Sequence, residues 1–214
     1  MKIGIIGATG KAGSKVVTEA LARGHQVTAL VRNAAKAKDL FGDNVTIVQK
    51  DAFAITKEDL TGLDAVVNAF SVPMGQHLAY QHIDLAAHLI HLLRGTETPR
   101  ILFILGGGSL KTDSGLLVDE LRKVPGAEAW IDTPESQYHE LNFLKTVTNV
   151  NWVGVSPSQN FVEGPKTNYV LGQDQLLFDD EHHSEVSTGT MAAAILDELE
   201  HPTVHQARFT VRNN

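Results

Sequence analysis

Residues 2–13 read KIGIIGATGKAG, an aliphatic run followed by a loop with glycines at positions 7, 10 and 13. Each glycine costs backbone entropy on folding, and a surface turn needs one at most. Three of them, set between a strand-like run and a helical pattern, fit a turn that presents backbone N–H groups and the positive end of a helix to an anion. The first glycine makes the tight turn, the second lets the backbone approach a pyrophosphate, and the third lets helix and strand pack closely. In isolation the G-x-x-G-x-x-G spacing is weak evidence; its strand–loop–helix setting reads as a dinucleotide site.

Outward from this loop, short aliphatic runs alternate with amphipathic ones. Candidate strands lie at 2–7, 26–31, 45–49, 64–70, 100–105 and 151–156. Most are continuously apolar, as parallel strands covered on both faces are. Candidate helices lie at 12–23 with Gly24 as a stop, at 76–93, at 134–147 with Thr133 as N-cap, and at 191–199. The alternation predicts an α/β fold: a doubly wound, Rossmann-type parallel sheet with helices on both faces, in one domain over residues 1–214. Two stretches break the rhythm, 106–133 after the fifth strand and 157–188 after the sixth. The usual connection runs to about six residues. Both leave the carboxyl ends of parallel strands, where such folds place their ligands, and read as substrate walls. Within the second, YVLGQDQLLF at 169–178 reads as a small hairpin.

Composition narrows the function classes. The chain is 43% hydrophobic and 20% charged, within the range of soluble globular domains. Cysteine is absent, which excludes disulfides and thiolate metal sites and fits a reducing, cytoplasmic setting. A net charge of −7 without any block of lysine and arginine argues against nucleic acid as a partner. The apolar runs are too short to span a bilayer, and no signal-peptide pattern is visible at the N-terminus. His88 and His91 share a helix face with Asp84, and His182 and His183 sit in an acidic loop, but no zinc signature appears and no metal is expected. The expected partner is a small-molecule acceptor, bound by a monomer or homodimer.

The end of the second strand bears on the choice of dinucleotide. NAD binders usually carry an acidic residue there for the ribose 2′-hydroxyl. This chain reads ALVRN at 29–33, with no Asp or Glu. Arg32, assisted by Lys11 or Lys36, suits a 2′-phosphate instead, so NADP(H) is expected over NAD(H).

GATGKAG at the first turn, VRN after strand two, KDAF after strand three, GGGSL after strand five and WVGVSPSQNF at strand six resemble the atypical short-chain dehydrogenase/reductase group. More narrowly, the chain resembles the NADH-flavin reductase-like, NAD(P)H-binding proteins related to biliverdin reductase B and to NmrA-like proteins. The resemblance implies that Gly7, Thr9, Gly10, Lys11, Ala12 and Gly13 hold the cofactor's phosphates, with Asp51 and Ala52 beside the adenine. Ala69, Phe70 and Ser71 would then line the cofactor's middle, and Gly106 to Ser109 and Pro157–Ser158 would flank the nicotinamide.

The catalytic reading is less direct. Carbonyl-reducing members pair a tyrosine with a lysine four residues on, which lowers the phenol's pKa. Here Tyr138 is followed at that spacing by Asn142, and Lys145 lies seven residues away. Flavin or quinone reduction tolerates this loss, because hydride transfer to such a ring needs little acid catalysis. Ser109 and Tyr138 are the candidate catalytic groups, Trp130 a candidate stacking surface, and FMN or another flavin a candidate substrate. The alternative is a non-catalytic NADP(H)-binding redox sensor, as the resemblance to NmrA-like proteins implies.

Overall fold

In the computed structural model, which describes all of residues 1–214, alternation along the first strand divides the interior in two. Ile3 and Ile5 enter one core and Ile6 the other, because successive side chains of a strand point to opposite faces. The strands are, in chain order, β1 (Lys2–Ile6), β2 (Gln26–Val31), β3 (Thr46–Gln49), β4 (Ala65–Asn68), β5 (Thr96–Ile104), β6 (Lys111–Thr112), β7 (Gly115–Leu116), β8 (Val150–Pro157), β9 (Asn160–Val162), β10 (Tyr169–Gly172), β11 (Glu185–Ser187) and β12 (Arg208–Asn213). The helices are α1 (Lys11–Ala22), α2 (Ala34–Phe41), α3 (Lys57–Leu60), α4 (Gln81–Leu93), α5 (Leu117–Leu121), α6 (Asp132–Leu144) and α7 (Thr188–Glu200).

Eight strands form one sheet in the order β3-β2-β1-β4-β5-β8-β12-β10, parallel throughout except where β10 joins the edge antiparallel to β12. This is the Rossmann-type doubly wound sheet, with its switch in strand direction of travel between β1 and β4. Helices α1, α2 and α7 cover the face that holds Ile3, Ile5, Leu102 and Val153. Helices α3, α4 and α6 cover the face that holds Ile6, Ile101, Phe103 and Trp152. Trp152 is fully buried, and its indole N–H donates to the Val147 carbonyl at 3.0 Å, so its polar atom is satisfied inside the apolar layer.

Local chemistry sets most boundaries. α1 stops before Gly24, whose φ of +81° is the left-handed conformation that suits a helix stop. α2 follows β2 after only two residues and is started by Asn33, whose side chain accepts from the Lys36 N–H at 2.9 Å. Three expectations need correction. Thr133 is not the N-cap of α6: the chain arrives from a 3₁₀ turn at Ala127–Ala129, its backbone is already helical at Ile131, and Thr133 lies inside the first turn. α4 begins at Gln81, five residues later than the pattern suggested. Residues 169–178 form no hairpin: Tyr169 to Gly172 pair with β12, and the chain then leaves the sheet to meet the other insertion, where Lys111 N–H donates to the Asp174 carbonyl at 2.7 Å.

The two insertions are therefore one structure. Leu110 and Leu117 from the first share a small apolar cluster with Leu176 from the second. β6 and β7 form a short antiparallel hairpin in the first, and β9 pairs parallel with β11 in the second. No helix is long and apolar enough to cross a membrane.

Candidate functional site

A cavity of about 700 Å³ opens along the carboxyl ends of the parallel strands. One end is made by short turns, the other by the insertions.

At the first turn, Gly7 has φ +73°, and a Cβ there would stand 2.8 Å from the Ala69 carbonyl oxygen. Only glycine satisfies both the backbone and the close approach of β4. Gly10 stands at the N-cap position of α1 and, lacking a side chain, caps nothing, so the N–H groups of the first helical turn are left for an anion. Gly10, Lys11 and Ala12 line the cavity with Gly7 and Thr9. Gly13 does not: it packs against the loop, where a side chain would collide with the Gly7 carbonyl. The three glycines thus divide into a turn, an opening and a packing contact. Lys11 reaches across to β9, donating to the Phe161 carbonyl at 2.6 Å with its ammonium 4.8 Å from that ring's centre.

Beyond this loop lie Arg32, Asn33 and Lys36 from the β2–α2 turn, with Lys50, Asp51 and Ala52 after β3. Lys50 is held by Asp59 at 2.6 Å. Burial raises the Asp59 carboxyl, but the Lys50 ammonium and the Thr56 N–H outweigh it and hold the group below the usual range. Arg32 and Lys36 are exposed and have no carboxylate partner. Asp51 accepts from the Phe53 N–H at 2.9 Å, which fixes the turn that presents Ala52. Ala69, Phe70 and Ser71, after β4, line the middle of the cavity.

At the far end the cavity passes Gly106, Gly107 and Gly108 after β5 and Pro157, Ser158 and Gln159 after β8. The compartment beyond is walled by Val72, Met74, Leu117, Leu121, Trp130 and Pro134, with Thr133 and Gln137 as its polar groups. Residues 133, 134 and 137 recur at the three- and four-residue spacing of one helix face, which is why α6 turns them together towards the cavity.

Of the residues singled out from sequence, Gly7, Thr9, Gly10, Lys11, Ala12, Arg32, Asp51, Ala52, Ala69, Phe70, Ser71, Gly106 and Pro157 lie together on this cavity, as does Trp130. Ser109 and Tyr138 do not line it. Tyr138 stands one position past Gln137, turned about 100° around the helix, and its ring lies 5.4 Å from that of His139. Ser109 is buried behind the wall, where its Oγ accepts from Arg208 at 3.0 Å and donates to the Gly106 carbonyl at 3.5 Å.

Arg208 was not legible as a site residue, although it organises this end. Its guanidinium is 1% exposed. It also donates to Ser156 Oγ at 2.9 Å and to Asp174 at 2.5 and 3.2 Å. Burial pushes the Arg208 pKa down and outweighs the opposing effect of Asp174 beside it. One side chain on β12 thus ties together the loop after β5, the end of β8 and the second insertion. The only signal in the sequence was an isolated arginine opening the apolar RFTV strand.

The sequence model of the NAD(P)H-binding family matches residues 7–202. This chain belongs to that family. It is 38% identical to the YwnB protein of Bacillus subtilis over 213 residues, covering 99% of this chain and 98% of that one. A solved structure from Lactobacillus casei is 44% identical with a TM-score of 0.94, covering 100% and 99% of the two chains. SP1627 of Streptococcus pneumoniae, named as a candidate NADH-flavin reductase, is 34% identical with a TM-score of 0.89 and covers all of both chains. The NAD(P)H-binding family supplies a nicotinamide dinucleotide as the natural occupant of the glycine-loop end, and the uncapped N-terminus of α1 and the cradle around Gly7 fit its pyrophosphate.

Proposed function

We propose that the protein is an NADPH-dependent reductase that passes a hydride to a flat acceptor, a free flavin or a quinone, held against the apolar wall. The reading rests on one observation above the others. A single cavity runs from two unpaired cations, past the glycine loop, into an apolar compartment whose lining contains no titratable side chain. Arg32 and Lys36 suit a 2′-phosphate, and the N–H groups of α1 and Lys11 suit the pyrophosphate. The glycines at 106–108 let Gln137, Pro157 and Pro134 close onto the loop after β5, whose backbone lines the cavity where a planar ring would lie. Bound reduced nicotinamide supplies the hydride; the proton that completes reduction of the acceptor comes from water, since the wall offers no acid. The name of SP1627 points the same way.

Steady-state oxidation of NADPH, with riboflavin, simple quinones and aldehydes offered in turn, tests the reading. Turnover with flavins or quinones and none with aldehydes is expected. Tight NADPH binding with no turnover on any of them would overturn it in favour of a redox sensor.

A further inference from the structure

The acceptor compartment differs from the rest of the cavity in charge, and that difference narrows the substrate. Four cations line the cavity, and all belong to the dinucleotide end. Arg32 and Lys36 flank the β2–α2 turn, Lys50 is neutralised by Asp59, and Lys11 sits on the glycine loop, bonded to the Phe161 carbonyl. The walls at the other end are Val72, Met74, Leu117, Leu121, Trp130 and Pro134, and none can neutralise an anion.

The surroundings are of the opposite sign. The segments 106–133 and 157–188 hold eleven of the 25 acidic residues and four of the 18 basic ones. Their balance of −7 equals the net charge of the whole chain, so the remainder is neutral. Both arginines at this end are already paired: Arg208, buried behind the wall, is held by Asp174, and Arg122 on the first insertion is engaged by Asp119 and by Glu135 at 2.6 Å. On the opposite rim, His77 lies 3.6 Å from Asp132. The loop carrying Met74 closes against this insertion, where a Cβ on Gly75 would be 2.9 Å from the Ala129 carbonyl. Glu128 and Asp132 flank Trp130 in sequence and so carry acidic charge beside this wall of the compartment.

Building on the reductase reading, we propose that the acceptor is an uncharged fused ring, of the riboflavin or quinone kind, and that phosphate-bearing flavins are rejected by the field of the two insertions. A phosphate of nearly two negative charges meets a net negative field there, since Lys111 and Lys123, the insertion cations outside the ion pairs, are outnumbered by the acidic residues around them, and the repulsion is of the long-range kind that salt screens.

The test compares riboflavin, FMN and a neutral naphthoquinone, using the full chain saturated with NADPH for turnover and with NADP⁺ for binding read by flavin fluorescence. Riboflavin is expected to exceed FMN about tenfold in kcat/KM and in affinity at low ionic strength, with the gap narrowing in high salt. Glu128→Lys, an exposed change outside the cavity lining, is expected to raise the FMN values several-fold and leave riboflavin and the quinone unchanged. Equal or better use of FMN at low salt overturns the proposal, as does a preference indifferent to both salt and Glu128→Lys. Selective binding of riboflavin without turnover upholds the charge selection and overturns the reductase reading.

Discussion

The two ends of the cavity solve the same problem with different material. Two residues connect β2 to α2, and four connect β1 to α1, whereas long segments separate β5 from α6 and β8 from α7. The short turns act through backbone: a left-handed glycine, free N–H groups and a close approach to Ala69. The insertions act through side chains, and they need internal support, which Arg208 and the Leu110–Leu117–Leu176 cluster provide. Backbone chemistry of the first kind binds a group that every dinucleotide carries. Side-chain chemistry of the second kind is where selection among acceptors resides.

Removing the support should separate the two ends most clearly. Arg208→Met leaves Ser109 and Ser156 without their shared donor, while Asp174, being partly exposed, rehydrates. The expected loss is about 2–3 kcal/mol of stability by denaturant titration, with a raised KM for the acceptor and an NADPH Kd that moves little. An equal loss at both ends would mean that the walls are not independent. At the other end, Arg32→Asp should weaken NADPH binding about tenfold or more and spare NADH, because one charge-assisted bond is replaced by repulsion. Fluorescence titration of both cofactors measures it, and an unchanged ratio of the two Kd values would remove Arg32 from the site.

A third variant probes the floor between the ends. His82 on α4 and Glu140 on α6 are buried together, with Nδ1 and Oε2 3.9 Å apart, and His82 also packs edge-on against Phe70 of the cavity lining. Burial pushes the Glu140 carboxyl well up and the imidazole down to about 4. The unfolded chain ionises Glu140 near the ordinary carboxyl value, so this residue removes stability as pH rises above that value. His82 removes stability as pH falls from about 6.5 towards 4, where only the unfolded chain takes the proton. Glu140→Gln should therefore stabilise the protein by about 1 kcal/mol at pH 8 and do nothing near pH 4, as melting curves at the two values would show. The smallest effect belongs to Tyr138→Phe. With its ring away from the cavity, flavin turnover should stay within about twofold; a loss of about a hundredfold would restore the phenol as proton donor.

The same division governs what the sequence disclosed. Strand positions and the glycine loop were readable because aliphatic runs and glycine spacing encode them directly. α2 is hard to read because AAKAKDLF is only eight residues long, buries just Ala37 and Phe41, and depends on Asn33 for its start. Thr133 resembled a cap only while the 3₁₀ turn before it was unknown. Ser109 and Tyr138 have the chemical type of catalytic groups, whereas a residue's reach into a cavity depends on its rotation about a helix or on which partner claims it. Gln137 and Arg208 gained their places through contacts with residues distant in the chain, which no local pattern records.

Arg208 follows its partner Ser109 by 99 residues. At a synthesis rate of roughly 5–20 residues per second, the loop after β5 waits on the order of ten seconds for the guanidinium that will fasten it. During that interval β1 to β4 can already pair with one another, since their connections are complete. The residues of the dinucleotide cradle are thus complete in the growing chain well before the side chain that fastens the acceptor wall has been made.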